Sequence, residues 1–250
     1  MSSAASSTTH GSAVQRWLAP IVWLSLLLLL TLGMGHLEWL FRLLEPDLRQ
    51  VIYRRADFLT LLGQHVLVVG IASLLAVALG VSAAVAVTRK FGRDFLPLVS
   101  QLASIGQTFP PVAVLALAVP ALGFGTLPII VALLLYGLLP IVRNTLAGID
   151  SIDPQVHEAA RAMGMTPWQV LRQVELPLAA PFILAGIRTS VTINIATAAL
   201  GTTVGASNLG DPIISGIVNG NTAYIVQGAV LIGLLALAVD SLFERLQRRG

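Results

Sequence analysis

Residues 157–181 read HEAARAMGMTPWQVLRQVELPLAAP. Glu158, Arg161, Arg172 and Glu175 crowd into this stretch, and Pro167, Pro177 and Pro181 punctuate it. Local chemistry predicts its shape. Just upstream stands Asp153-Pro154, a good N-cap followed by the residue favoured at the first helical position. A helix is expected through QVHEAARAM, with Gly164 placed where a left-handed C-terminal residue is wanted. A second start follows at Thr166-Pro167-Trp168-Gln169, with Thr as N-cap and Gln at N3 completing a capping box. The residue before a proline is biased away from the helical region, so this second helix is expected to stop before Pro177. Two short capped helices with a Gly-centred bend are too charged to span a bilayer and too well capped to be a loose loop. Ala159, Ala160 and Ala162 leave a patch of small side chains, and Met163, Met165, Trp168, Val170 and Leu171 offer apolar contact. The residues alone leave two readings: a knob that docks a partner, or a helix lying on the bilayer surface.

The rest of the chain supplies the context. Its 250 residues are 56% hydrophobic and only 11% charged, against about 25% charged in a soluble domain. Such a chain cannot cover itself with polar surface, and an all-α membrane protein is expected. About 20 apolar residues span a bilayer, and six segments qualify: 17–36, 58–87, 97–121, 126–147, 178–204 and 222–241. Pro110-Pro111 and Pro120 interrupt the third, which should be kinked or partly unwound. Leu122–Gly125 is short and uncharged, as in a tight turn. Residues 1–15 are rich in Ser, Thr and Ala and read as a disordered tail. The apolar run from Leu18 to Leu32 is read as a retained first helix, since no clear signal-peptidase site follows it.

Six spans with both termini inside place Arg16, Arg89, Lys90, Arg93, Arg143, Arg161, Arg172, Arg245, Arg248 and Arg249 on the inner side. Only Arg42, Arg49, Arg54 and Arg55 fall outside, in the outer loop 37–57. That asymmetry predicts N-in and C-in topology, with the charged module facing the cytoplasm. It also gives the net charge of +3 a role in orientation rather than in binding nucleic acid. Arg188 would snorkel from the inner edge of the fifth span.

Other chemistries find little support. Cysteine is absent and Lys90 is the lone lysine, so no G-x-x-x-x-G-K-[ST] phosphate loop exists. His157-Glu158 lacks the second His of a zincin, because Arg161 stands in its place, and no metal site is expected. Proton-driven transport needs ionisable relays within the spans. There the candidates reduce to His65 and Asp240, and His65 reads as a hydrogen-bonded structural residue.

The run EAARAMGMTPWQVLRQVELP resembles the EAA loop of ABC-importer permeases. The resemblance rests on Glu158, Ala159, Ala160, Gly164, Val174, Leu176 and Pro177 in the family's register. The stretches GQTFPPVAVLALAVPALGFG at 106–125 and TVGASNLGDPIISGI at 203–217 are similar to permeases of osmoprotectant importers. The second stretch is shared more widely among small importer permeases. Similarity runs from about residue 58 to 247, which would form the permease core, with the coupling loop at 150–177; residues 16–57 would add a first helix and outer loop.

The resemblance implies the type I importer permease fold in a bacterial inner membrane. It implies a transport subunit rather than an enzyme, importing a compatible solute such as glycine betaine. Glu158, Ala159, Ala160, Gly164, Leu176 and Pro177 would carry ATPase coupling. Partners would be a separate ABC ATPase holding ATP and Mg, a second permease subunit (itself or a related chain) and an extracytoplasmic solute-binding protein. An importer of another small polar solute, such as an amino acid, and a secondary transporter are the alternatives. For the solute path, Gln107, Thr108, Phe109 and Asn194 are the candidates among polar and aromatic groups of the third and fifth spans. The competing role for each polar group is interhelical hydrogen bonding.

Overall fold

The computed structural model describes residues 13–247, with side chains from Trp17 onward. No strand occurs among them. In chain order come α1 (Ala13–Gly33), α2 (Glu38–Leu44), α3 (Phe58–Thr88), α4 (Leu96–Thr108) and α5 (Pro111–Leu122). Then follow α6 (Thr126–Asp150), α7 (Pro154–Ala162), α8 (Pro167–Val170), α9 (Leu176–Ala198), α10 (Gly210–Asn219) and α11 (Thr222–Gln247). The expectation of a disordered tail over 1–15 falls largely outside the described residues, and helix already begins at Ala13.

Among the described residues, five helical segments are long and apolar enough to cross a membrane, and a sixth crossing results if α4 and α5 are one broken span. The third expected span, 97–121, is therefore not a single helix: its halves meet at 100°. The cause is local. Phe109 and Pro110 are both extended, Pro111 restarts the helix, and neither proline offers an N–H to carry the ladder across the break. The Tyr136 hydroxyl donates to the Phe109 carbonyl, supplying a partner that the ladder does not. At the far end, Gly123 and Gly125 have positive φ, and Gly125 N–H donates to the Val204 carbonyl at 2.7 Å, closing the expected turn.

Interhelical bonds sort the connections into two ends. Segments 45–57, 123–125 and 204–222 meet at one, through Gly125–Val204, Asn221–Gln50 and Thr222–Glu45. Segments 89–95 and 150–175 meet at the other, through Arg89 and Glu175. α4 starts at this second end and α5 finishes at the first. The broken pair thus makes one net crossing, which keeps α1 and α11 in the even-numbered topology that the charge asymmetry requires.

α3, α6 and α9 form the centre. Small residues let them approach: a Cβ on Gly186 would lie 2.7 Å from the Pro140 carbonyl oxygen, and one on Gly148 would lie 2.8 Å from the Phe182 Cβ. Leu133, Ile129, Ile141, Ile195 and Ala72 are fully buried there. α11 packs against α1, α9 and α10. Arg188 does not snorkel freely. Its guanidinium donates two 2.6 Å bonds to the Asp240 carboxylate and a 3.3 Å bond to Gln247, tying α9 to α11. Asp240 is therefore half of an ion pair. His65 is fully buried, its Nε2 3.0 Å from the Ile195 carbonyl oxygen, a structural role as expected.

Segment 45–57 is more than a loop. Val51, Ile52 and Tyr53 are buried, and buried Gln227 of α11 both donates to the Val51 carbonyl (2.6 Å) and accepts from Tyr53 N–H (3.0 Å). Tyr53 stacks edge-on against Tyr224 at 5.5 Å.

Candidate functional site: the charged module and the broken span

Helix α7 begins as its caps demand, with the Asp153 carboxylate accepting from Gln155 N–H at 2.8 Å. It ends in a Schellman turn. Gly164 N–H donates to the Arg161 carbonyl (2.9 Å) and Met165 N–H to the Ala160 carbonyl (3.1 Å). Gly164 has φ +77, the left-handed conformation that this turn requires, and open space surrounds the position a Cβ would take. The capping box at Thr166 is complete: its hydroxyl accepts from Gln169 N–H (3.3 Å) and Gln169 Oε1 accepts from Thr166 N–H (2.8 Å).

The second helix does not stop before Pro177. It runs on through one π turn, Leu171–Glu175, directly into α9, so 167–204 is one continuous 38-residue helical segment rather than a separate span 178–204. Leu176 N–H reaches back five residues to the Leu171 carbonyl. Leu176 itself is helical (φ −63, ψ −43) despite the proline after it. The wider turn accommodates a residue whose missing N–H and ring would otherwise break the ladder, and packing of α9 in the central bundle overrides the local bias at Leu176.

Glu158, Ala159, Ala162 and Gly164 face outward, whereas Ala160 is buried. Met163 and Trp168 are 74% and 63% exposed, and the Arg172 guanidinium lies 5.6 Å over the Trp168 ring. Leu176 is half-buried and Pro177 exposed. The module thus presents a rigid face of small, apolar and charged side chains around the bend.

Sequence reasoning passed over Glu175. Its side chain is buried, and both oxygens are engaged. One accepts from the Arg89 guanidinium at the end of α3, the other from His157 Nε2 on α7 at 3.3 Å. No local motif marks this site, because the partners lie 86 and 18 residues away.

The four solute-path candidates divide. Gln107, Thr108 and Phe109 sit at the break between α4 and α5. Gln107 donates to the Tyr136 carbonyl at 3.0 Å, the Thr108 hydroxyl donates back to the Ile105 carbonyl at 2.8 Å, and the Phe109 side chain is exposed. Asn194 lies on the other side of α6, fully buried, donating to the Ser73 hydroxyl at 3.1 Å and crowding Gly137. Its Oδ1 and the nearby Ser190 hydroxyl have no protein partner.

At the opposite end, a cavity of about 460 Å³ opens between segment 45–57 and α10, lined by Tyr53, Arg55, Thr202 and Asp211 among others. Asp211 is already engaged, accepting from the Thr202 hydroxyl (2.7 Å) and from Asn208 N–H (3.2 Å). Burial, and then the Asp211 charge, push the Tyr53 phenol up from its ordinary value. Among the described residues, no cluster of three or more His, Cys, Asp or Glu side chains has the arrangement to hold a metal ion.

This architecture, a bundle with a capped helical module projecting from one end, has known counterparts. The chain belongs to the family of inner membrane components of binding-protein-dependent transport systems, whose family model matches residues 76–249. It is 42% identical over 196 residues to the osmoprotectant import permease protein OsmY of Salmonella typhimurium, covering 78% of this chain and 83% of that one. It is 39% identical over 187 residues to the glycine betaine/carnitine/choline transport system permease protein OpuCB of Bacillus subtilis, covering 75% and 85%. Its fold matches a chain of the inward-facing MetNI methionine ABC transporter with a TM-score of 0.67 over 76% of this chain and 94% of that one, at 24% identity. Helix, break and module together are the type I importer permease fold.

Proposed function

We propose that this chain is the membrane-spanning permease subunit of an ATP-driven importer of compatible solutes such as glycine betaine, carnitine or choline, in a bacterial inner membrane. The observation that carries the solute class is the 42% identity, over 78% of the chain, to an osmoprotectant import permease. The exposed face of α7 and its Gly164 turn is the docking surface for a separate ABC ATPase, which holds ATP and Mg. Glu158 and the Schellman turn fix the orientation of that face, and Leu176 and Pro177 link it to α9. A second permease subunit completes the pathway, and an extracytoplasmic binding protein delivers the solute. High-affinity recognition is assigned to the binding protein and a low-affinity path to the permease, since aromatic residues, which hold quaternary ammonium groups, make up only 6% of the chain.

The cycle then follows from rigid connections. ATP closes the ATPase pair, the docked modules approach one another, and the spans open outward to receive solute; hydrolysis resets them. The test is uptake of labelled glycine betaine into proteoliposomes that contain the assembled complex and its binding protein. ATP-dependent uptake that excess carnitine or choline suppresses, and an unrelated amino acid does not, supports the reading. Uptake of an amino acid in preference to every quaternary ammonium would overturn the solute class.

A further inference from the structure

We propose that Glu175 is a positioning residue that transmits movement of the docking helix to the spans. Its carboxylate grips α7 through His157 and α3 through Arg89 at the same time, so α7, α3 and the root of α9 move as one body. The inference rests on the ATP-coupled reading above and deepens it.

Three observations point the same way. Glu175 is 5% exposed, and among the described residues it is the only Asp, Glu, Lys or Arg in the buried class. A buried ion pair adds little net stability over apolar packing, but it fixes register strongly, because removing one partner strands the other. Glu175 also closes the π turn, where the helix leaving the module becomes α9. π turns are rare and cluster at functional positions. Finally, Arg89 is itself held: its guanidinium donates to the Thr88 hydroxyl at 2.8 Å and to the Val85 carbonyl at 3.3 Å, both at the end of α3. A pull on Glu175 is therefore delivered to the backbone of α3, not to a free side chain. α3 in turn packs against both α6 and α9 in the central bundle.

A tether of this kind predicts loss of coupling rather than loss of assembly or of ATP hydrolysis. The experiment uses the reconstituted complex and reads ATP hydrolysed per glycine betaine imported. Glu175→Gln keeps the shape and loses the charge; it is expected to raise that ratio about tenfold, within the usual range of coupling between sites. Should Glu175→Gln assemble poorly, His157→Ala, at a half-buried position, releases α7 alone and is expected to raise the ratio at normal yield. Combining Arg89→Gln with Glu175→Gln should raise it no further than either change alone, as for groups acting as one unit. Ratios for Glu175→Gln and His157→Ala that stay within about twofold of a well-coupled wild type would overturn the tether, since a group in the transmission path must move it. A wild-type complex without ATP-driven uptake would instead overturn the transport reading, and the tether with it.

Discussion

The centre of the bundle and the broken α4–α5 arm are made of the same kinds of residue and both meet α6 at glycines, but only the centre encloses polar side chains. In α3, α6 and α9, backbones meet at glycines, and Asn194, Ser190 and Thr145 are sealed in. In α4 and α5, the well-buried residues are all apolar, Ala103, Gly106 and Leu115; Gly106 lets α4 meet α6 closely, since a Cβ there would lie 2.3 Å from the Leu135 carbonyl oxygen, while Leu98, Leu102, Ile105, Val112 and Leu117 stay exposed. The difference teaches that apolar content does not tell where a helix packs. A closely packed centre transmits force because it cannot deform; an arm with an open apolar face is free to meet lipid or another subunit. The solute-path candidates straddle this divide, with Asn194 in the sealed part and Gln107, Thr108 and Phe109 on the arm.

The largest expected effect breaks the centre. Gly186→Leu places its Cβ 2.7 Å from the Pro140 carbonyl oxygen and 2.8 Å from the Asn144 Cβ, both on α6. Overpacking of this kind costs about 1–3 kcal/mol or more, and against backbone the upper end is expected. A thermal melt of the detergent-solubilised complex should drop sharply, or folded protein should be absent; an unchanged melt would mean that the α6–α9 contact is loose.

Next comes the module. Gly164→Val forces a β-branched residue to φ +77 where nothing else blocks it, a strain of about 1–2 kcal/mol. Because space is open, the effect should fall on the turn and not on the bundle: ATP hydrolysed without uptake, at near-normal melting temperature. Normal uptake per ATP would show that the turn tolerates another geometry.

A third prediction sharpens the divide between the candidates. Asn194→Ala removes one buried hydrogen bond to Ser73, worth about 1 kcal/mol, and should lower the melting temperature. Gln107→Ala, on the half-exposed arm, should change glycine betaine uptake with little effect on the melt. If Gln107→Ala destabilises and leaves transport intact, the arm is packed as tightly as the centre.

The smallest effect lies at the outer end. Hydrogen bonds from Thr222 hold the Glu45 carboxyl below its ordinary value of 4.5. A folded pKa depressed in this way adds stability above pH 4.5 that is lost as pH falls through the folded value. The melt of wild type should therefore converge on that of Glu45→Gln in acid and exceed it slightly at neutral pH. The gain is small because the group is exposed.

What could be read in the sequence was local. Asp153, Gly164 and the Thr166–Gln169 box each specify a backbone geometry through their nearest neighbours, so the caps and the bend of the module were legible to within a residue. Pro110-Pro111 announced a break for the same reason, although its 100° angle depends on Tyr136 and the partners of α5. Pro177 misled because the rule for residues before proline is a local preference, and tertiary packing together with the π turn outweighed it. The contacts of Glu175 and Asn194 were illegible in the same sense: their partners Arg89 and Ser73 are 86 and 121 residues distant. Gln227 likewise reveals the order in segment 45–57 only once α11 is in place.

The most direct test is purification of the complex from membranes with α7 intact and with Glu158 and Gly164 both replaced. The account predicts that an ABC ATPase accompanies the wild-type chain and that the doubly substituted chain, still folded, loses it. An intact chain that imports solute on an ion gradient with no ATPase attached would contradict it.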